Sequence, residues 1–107
     1  MNKISDIKIL EKLKYLDLSM NNISNIIILE KVKFNKIEQI NLYQNEISDI
    51  NILENVDFKG LKELNLSTNQ ISDINALKNI DFKELKEINL SNNNISDINI
   101  FKDFTFK

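Results

Sequence analysis

No cysteine, histidine, proline or tryptophan occurs in this chain of 107 residues, and glycine occurs once, at Gly60. All 14 basic residues are lysine. Each absence narrows the chemistry. Without Cys there is no disulfide frame and no thiolate nucleophile. Without His or Cys, zinc and the other metals that prefer nitrogen or sulfur lack ligands, and the His-assisted nucleophile pairs are missing. A formal net charge of −2 with no arginine runs against nucleic acid, which selects basic faces and bidentate Arg. No apolar run approaches the ~20 residues of a membrane span, and no basic start leads into a hydrophobic stretch. What remains is a chain with 42% apolar and 28% charged residues, enough core for one soluble domain and no room for a second. Such a chain still has to turn, and Gly and Pro are the usual means.

The sequence is dominated by a repeat. Its units read LKYLDLSMNNISNI from Leu13, IEQINLYQNEISDI from Ile37, LKELNLSTNQISDI from Leu61 and LKEINLSNNNISDI from Leu85, with 24 residues between starts. The last two units agree at 15 of 23 aligned positions, so divergence between neighbours is small. A partial unit precedes them: NKISDIKIL from Asn2 matches NEISDINIL from Asn45. The expected organisation is one array over 1–107: a partial unit 1–12, full units 13–36, 37–60 and 61–84, and a last unit 85–107.

The pattern LxxLxLxxNxI resembles the leucine-rich repeat family. Leu61, Leu64, Leu66, Asn69 and Ile71 match it position by position, as do Leu13, Leu16, Leu18, Asn21 and Ile23. Ile37, Ile40 and Ile88 replace leucine at similar volume. The continuation N-x-I-S-D-I is most similar to the internalin-type subclass. The resemblance covers essentially the whole chain. It implies an α/β leucine-rich repeat solenoid, with a curved parallel sheet on the concave side and short helices on the convex side. It also implies that Asn21, Asn45, Asn69 and Asn93 form a buried structural ladder along the spine.

The residues carry the same reading physically. Alternation with period two in the LxL core marks a strand with leucine inward and the intervening residues outward. No unit can bury its own apolar face, so neighbours must do it for one another. An Asn side chain both donates and accepts, so it can satisfy the backbone of a bend in place of Gly or Pro. Ser48, Ser72 and Ser96, with Ser24 in the first full unit, suit an N-cap, and the following Asp suits the positive end of a helix. Ile50, Ile52, Leu53 and Val56 fall within one arc at 100° per residue, which predicts a two-turn α-helix; a 3₁₀ winding would turn Ile52 away. The pairs Asp49-Asn51, Asp73-Asn75 and Asp97-Asn99 lack the further oxygen ligands of a calcium site, so no metal and no cofactor is expected. Phe34, Phe58, Phe82 and Phe106 form a recurring core column.

Columns shared by all units are architecture, so recognition should lie where exposed strand residues differ. Units three and four are bland there. The first two carry Tyr15, Asp17, Met20, Tyr43 and Gln44, which form the candidate partner-binding patch, because Tyr and Met give adaptable contact area at low entropy cost. Glu63 and Glu87 recur at one repeat position, as decoration does, so no catalytic residue is assigned. The expected function is a non-catalytic interaction module that binds a protein or peptide, with no nucleic acid and no membrane. The alternative is a structural segment that self-associates end to end or belongs to a longer array. Four strands expose only a few hundred Å², against ~800 Å² per partner in a specific interface. The ends are apolar: Ile4, Ile7, Ile9 and Leu10 at one, Phe101, Phe104 and Phe106 at the other. Large rings there can serve as an improvised cap, as a cut edge or as a pairing surface. The expected compartment is the cytoplasm, or the exterior or cell surface for a piece of a longer protein.

Overall fold

The computed structural model describes residues 8–97. Asn2, Ile4, Ile7, Asn99, Phe101, Phe104 and Phe106 therefore lie outside the described residues. Four three-residue strands, β1 (Tyr15–Asp17), β2 (Gln39–Asn41), β3 (Glu63–Asn65) and β4 (Glu87–Asn89), form one parallel sheet in sequence order. Their register is uniform: Leu16 pairs with Ile40, Ile40 with Leu64, and Leu64 with Ile88. The middle residue is buried in β1, β2 and β3 and half buried in β4, and the first and third residues of each strand turn outward. A run as short as ELN holds this position because it is fixed by its neighbours on both sides rather than by intrinsic propensity.

Between the strands the chain crosses the opposite face in 3₁₀ helices, Ile27–Lys31, Asn51–Asn55 and Asn75–Asn79. This corrects the expected two-turn α-helix. The buried residues are Ile26, Leu29 and Val32, then Ile50, Leu53 and Val56, then Ile74, Leu77 and Ile80. They recur every third residue. Three residues per turn place such a triplet on one line, whereas an α-helix would rotate its ends about 120° apart. Hydrogen bonds follow the tighter winding: Leu53 N–H donates to the Ile50 carbonyl at 3.0 Å and Val56 N–H to Leu53 at 3.2 Å. Ile52 is only half buried, the consequence that made 3₁₀ look unfavourable from the sequence.

The capping is also corrected. Ser24, Ser48 and Ser72 are exposed, and the helix entries at Ile26, Ile50 and Ile74 have no side-chain cap bond. The work falls to the next residue. Asp49 Oδ1 accepts from Asn51 N–H, Asp73 Oδ1 from Asn75 N–H and Asn25 Oδ1 from Ile27 N–H, each at 2.9 Å. These are Asx-turns, a local way to satisfy an orphan amide at the start of a helix.

The core runs between the two faces. Phe58 is fully buried and stacks on Phe82, with ring centroids 6.0 Å apart and planes 6° from parallel. Phe34 is buried in the same column. Gly60 has no special backbone role: an added Cβ would meet only the Ile37 carbonyl, at an ordinary 3.5 Å.

Candidate functional site

The bend after each strand is built from two side chains and one recurring left-handed residue, with a second, Asn22 at φ 56°, in the first coil. Asn69 Nδ2 donates to the carbonyls of Leu66 and Ser67 in its own coil, at 3.0 and 3.2 Å, and to Leu42 of the coil before, at 3.0 Å. Its Oδ1 accepts from Ile47 N–H at 3.0 Å. Asn45 binds Leu42, Leu18 and Ile23 in the same way, and Asn93 binds Leu90, Leu66 and Ile71. Each Asn thus ties its own bend to the bend one coil earlier. Asn45 and Asn69 are 8% exposed, while Asn21, in the first coil, is exposed; among the described residues its side chain bonds only to Leu18 and Ser19 of its own bend, and its amide donates to Asn45 Oδ1 at 3.0 Å.

The residue before this Asn lies in the left-handed region in every coil: Met20 at φ 57°, Gln44 at 56°, Thr68 at 55° and Asn92 at 56°. A side chain in that region is strained, by roughly 1–2 kcal/mol relative to the right-handed one, and only Gly and Asn enter it readily. Thr is the worst suited of the four because it is branched at Cβ. Thr68→Asn is expected to raise the unfolding free energy by about 1 kcal/mol, read as a higher midpoint in urea denaturation with unchanged slope.

The strand face has its own polar column. Asn41 Oδ1 accepts from Tyr43 N–H at 3.0 Å, and Asn65 and Asn89 accept from the amide and hydroxyl of Ser67 and Ser91. Asp17 does the same with Ser19, at 2.9 Å to the amide and 2.7 Å to the hydroxyl. The Ser19 hydroxyl, then its amide, hold the Asp17 carboxyl below its ordinary range. Asp17 is therefore part of a turn that every coil makes, with a charge where the others carry an amide. Its Oδ2 is reached by the Tyr15 hydroxyl at 3.5 Å.

The five candidate residues separate in space by role. Tyr15 is 53% exposed and borders a shallow depression of about 120 Å³ in the middle of the face, with Gln39, Glu63 and Glu87. Sequence reading passed over Gln39, whose Nε2 donates to Glu63 Oε2 at 3.1 Å and closes one wall. Met20, 65% exposed, and Gln44 stand at the turn, outside the depression. Tyr43, half buried, sits between the two groups in the second coil. Among the described residues no group of three carboxylates could hold a metal ion, and no helix is long and apolar enough to cross a membrane.

Family models agree with this architecture. A leucine-rich repeat model of two copies matches residues 35–79, and two further leucine-rich repeat models match residues 10–28 and 84–104. The chain is a leucine-rich repeat protein. Among solved structures it is similar to an internalin from Listeria monocytogenes, with a TM-score of 0.64 and 29% sequence identity. The match covers 94% of this chain and 34% of that one, so the chain spans about a third of that internalin's length. No curated protein sequence matches it. Repeats of this family generally mediate protein–protein interaction.

Proposed function

We propose that the chain is a non-catalytic interaction module that binds a protein or peptide through its strand face, around Tyr15, Asp17, Met20, Tyr43 and Gln44. One observation carries this reading: the residues that differ between coils are the outward ones of the strands and turns, and the large side chains among them are Tyr15 and Met20, exposed in the first coil, and Tyr43, half buried in the second. The inward positions repeat because they pack on one another. The outward positions make no such demand, so their departure from Glu, Asn and Ser reflects contact with something else. Tyr15 offers a ring and a hydroxyl that is only loosely engaged by Asp17. The internalin likeness over nearly the whole chain supports an interaction role in general.

The test is affinity capture from the source organism, followed by titration of each captured partner against wild type and the Tyr15→Ala, Tyr43→Ala double variant. Each substitution is expected to weaken binding by about 1–2 kcal/mol, so the pair costs at least tenfold in Kd. Unchanged binding of every partner would place the site elsewhere.

A further inference from the structure

The strand face carries a charge pattern that the packing of the sheet does not require. Tyr15, Gln39, Glu63 and Glu87 stand in one register column and border the depression of about 120 Å³. Glu63 and Glu87 are direct neighbours on β3 and β4. Like charges so placed repel, and the pair costs stability unless something positive lies against it. Nothing in the described chain does. The Lys62 ammonium turns to Glu38 at 3.7 Å, and neither Glu63 nor Glu87 forms an ion pair among the described residues. Glu63 Oε2 accepts only from the neutral Gln39 Nε2, and the Glu87 carboxylate accepts no hydrogen bond among the described residues. The chain has 14 lysines, yet none occurs in residues 15–29, 39–53, 63–77 or 87–97, which hold the strands and the bends after them.

The next outward column shows which kind of group would fit. Asp17, Asn41, Asn65 and Asn89 each accept at Oδ1 from the amide two residues on, at 2.9 to 3.0 Å. The turn thereby fixes the other end of each side chain. In β2, β3 and β4 that end is Nδ2, a donor with no hydrogen bond among the described residues. In β1 it is Asp17 Oδ2, an anionic acceptor reached only by the Tyr15 hydroxyl at 3.5 Å. The column thus changes from donor to anionic acceptor beside the exposed Tyr15 ring. A carboxylate next to an aromatic ring suits a guanidinium, which stacks on the ring and donates to the oxygen. Two anionic seats therefore lie on one face, Tyr15 with Asp17 at β1 and the Glu63–Glu87 pair at β3 and β4. They are two and a half strand steps apart, about 12 Å, which an extended chain covers in about four residues.

We infer that the strand face takes an extended segment of a partner protein that crosses the strands and carries two arginines four positions apart. One arginine lies on Tyr15 and donates to Asp17; the other donates to Glu63 and Glu87. This inference rests on the strand-face reading above and names the chemistry of its partner.

The experiment titrates the isotope-labelled full chain with three synthetic peptides of serine and glycine: one with two arginines four positions apart, one with two adjacent arginines, and one with norleucine in place of both. Nuclear magnetic resonance follows the Tyr15 amide and the side-chain amides of Gln39, Asn41 and Asn65. The first peptide is expected to shift these signals, to bind about fivefold more tightly than the second, and to lose affinity as salt is raised; the third should not bind. Asp17→Asn keeps the bonds to Ser19, as Asn65 and Asn89 do with their own serines, so the turn survives. Combined with Glu63→Gln and Glu87→Gln, it should weaken the first peptide at least tenfold. Tyr15→Phe should change its binding little, whereas Tyr15→Leu should weaken it several-fold. Failure of the first peptide to bind, equal binding of the norleucine peptide, indifference to arginine spacing, or unchanged affinity in the triple variant would each overturn the inference. The strand-face reading fails separately. A captured partner weakened by Tyr15→Ala with Tyr43→Ala, but not by the three carboxylate substitutions, keeps the face and removes the arginines. Partners indifferent to both sets remove the face itself.

Discussion

Asn69→Ala is expected to lower the unfolding free energy by about 3 kcal/mol or more, measured by urea or thermal denaturation of the whole chain. The substitution strands one buried amide and breaks three further bonds. Ile47 N–H loses its acceptor, and the carbonyls of Leu42, Leu66 and Ser67 each lose one of two donors, keeping Asn45 Nδ2, Asn93 Nδ2 and the Gln44 amide respectively. The site is nearly closed to water, so replacement partners are scarce, and each buried unpaired group costs roughly 1–3 kcal/mol. Asn69→Asp is a sharper probe. It keeps the acceptor for Ile47 but turns the donor into an oxygen facing three carbonyls, and it should destabilise at least as much at neutral pH. Asn21→Ala is the control. Asn21 is exposed, and among the described residues its side chain bonds only within its own bend, so its loss should cost less than half as much. Equal effects at Asn21 and Asn69 would show that the bend, and not the link between coils, carries the energy.

Phe58→Ala is expected to cost about 3–5 kcal/mol, the range for removing a buried ring whose cavity cannot collapse. Collapse is hindered because the residues around it belong to two coils held in register by β2 and β3. The stack with Phe82 adds a smaller term, about 0.5–1.5 kcal/mol, which a double-mutant cycle with Phe82→Ala isolates. The form of the unfolding curve is informative as well. In a stack where each unit touches only its neighbours, a central defect weakens the coupling between the two halves. Phe58→Ala is therefore expected to broaden the transition as well as shift it. A single sharp transition at wild-type slope would mean that coupling between coils exceeds what one aromatic column supplies.

Much of the fold was legible because the spacing of 24 residues never slips between Leu13 and Leu85, which fixes which residues stack on which. The local winding was not. Counting Ile52 as core favoured an α-helix, whereas the structure uses Ile50, Leu53 and Val56 and leaves Ile52 half exposed. A short segment with four apolar residues fits two periods, and only the neighbouring units decide. In the third unit Ala76 takes the Ile52 place, a sign that this position need not be large. The bond expected of Ser falls to the Asp or Asn after it for a similar reason: both types are good caps, and they stand one residue apart. The left-handed column could not be read at all. Met20, Gln44, Thr68 and Asn92 have no chemistry in common, and only the closure of the bend requires them to share a backbone angle. Of the candidate site, the exposure of Tyr15 and Met20 was legible from their departure from the column pattern. The engagement of Asp17 with Ser19 was hidden, because a charged residue on a variable face reads as recognition when its neighbour's amide is not in view.

The uniform register has a genetic consequence. Units 61–84 and 85–107 differ at few inward positions, and every junction between coils presents the same groups in the same places. A misaligned exchange between the coding segments of two units would delete or duplicate 24 residues and still leave each strand beside a compatible neighbour. The array can therefore lengthen or shorten in a single recombination event without a destabilised intermediate, and a newly copied unit is free to diverge outward at once.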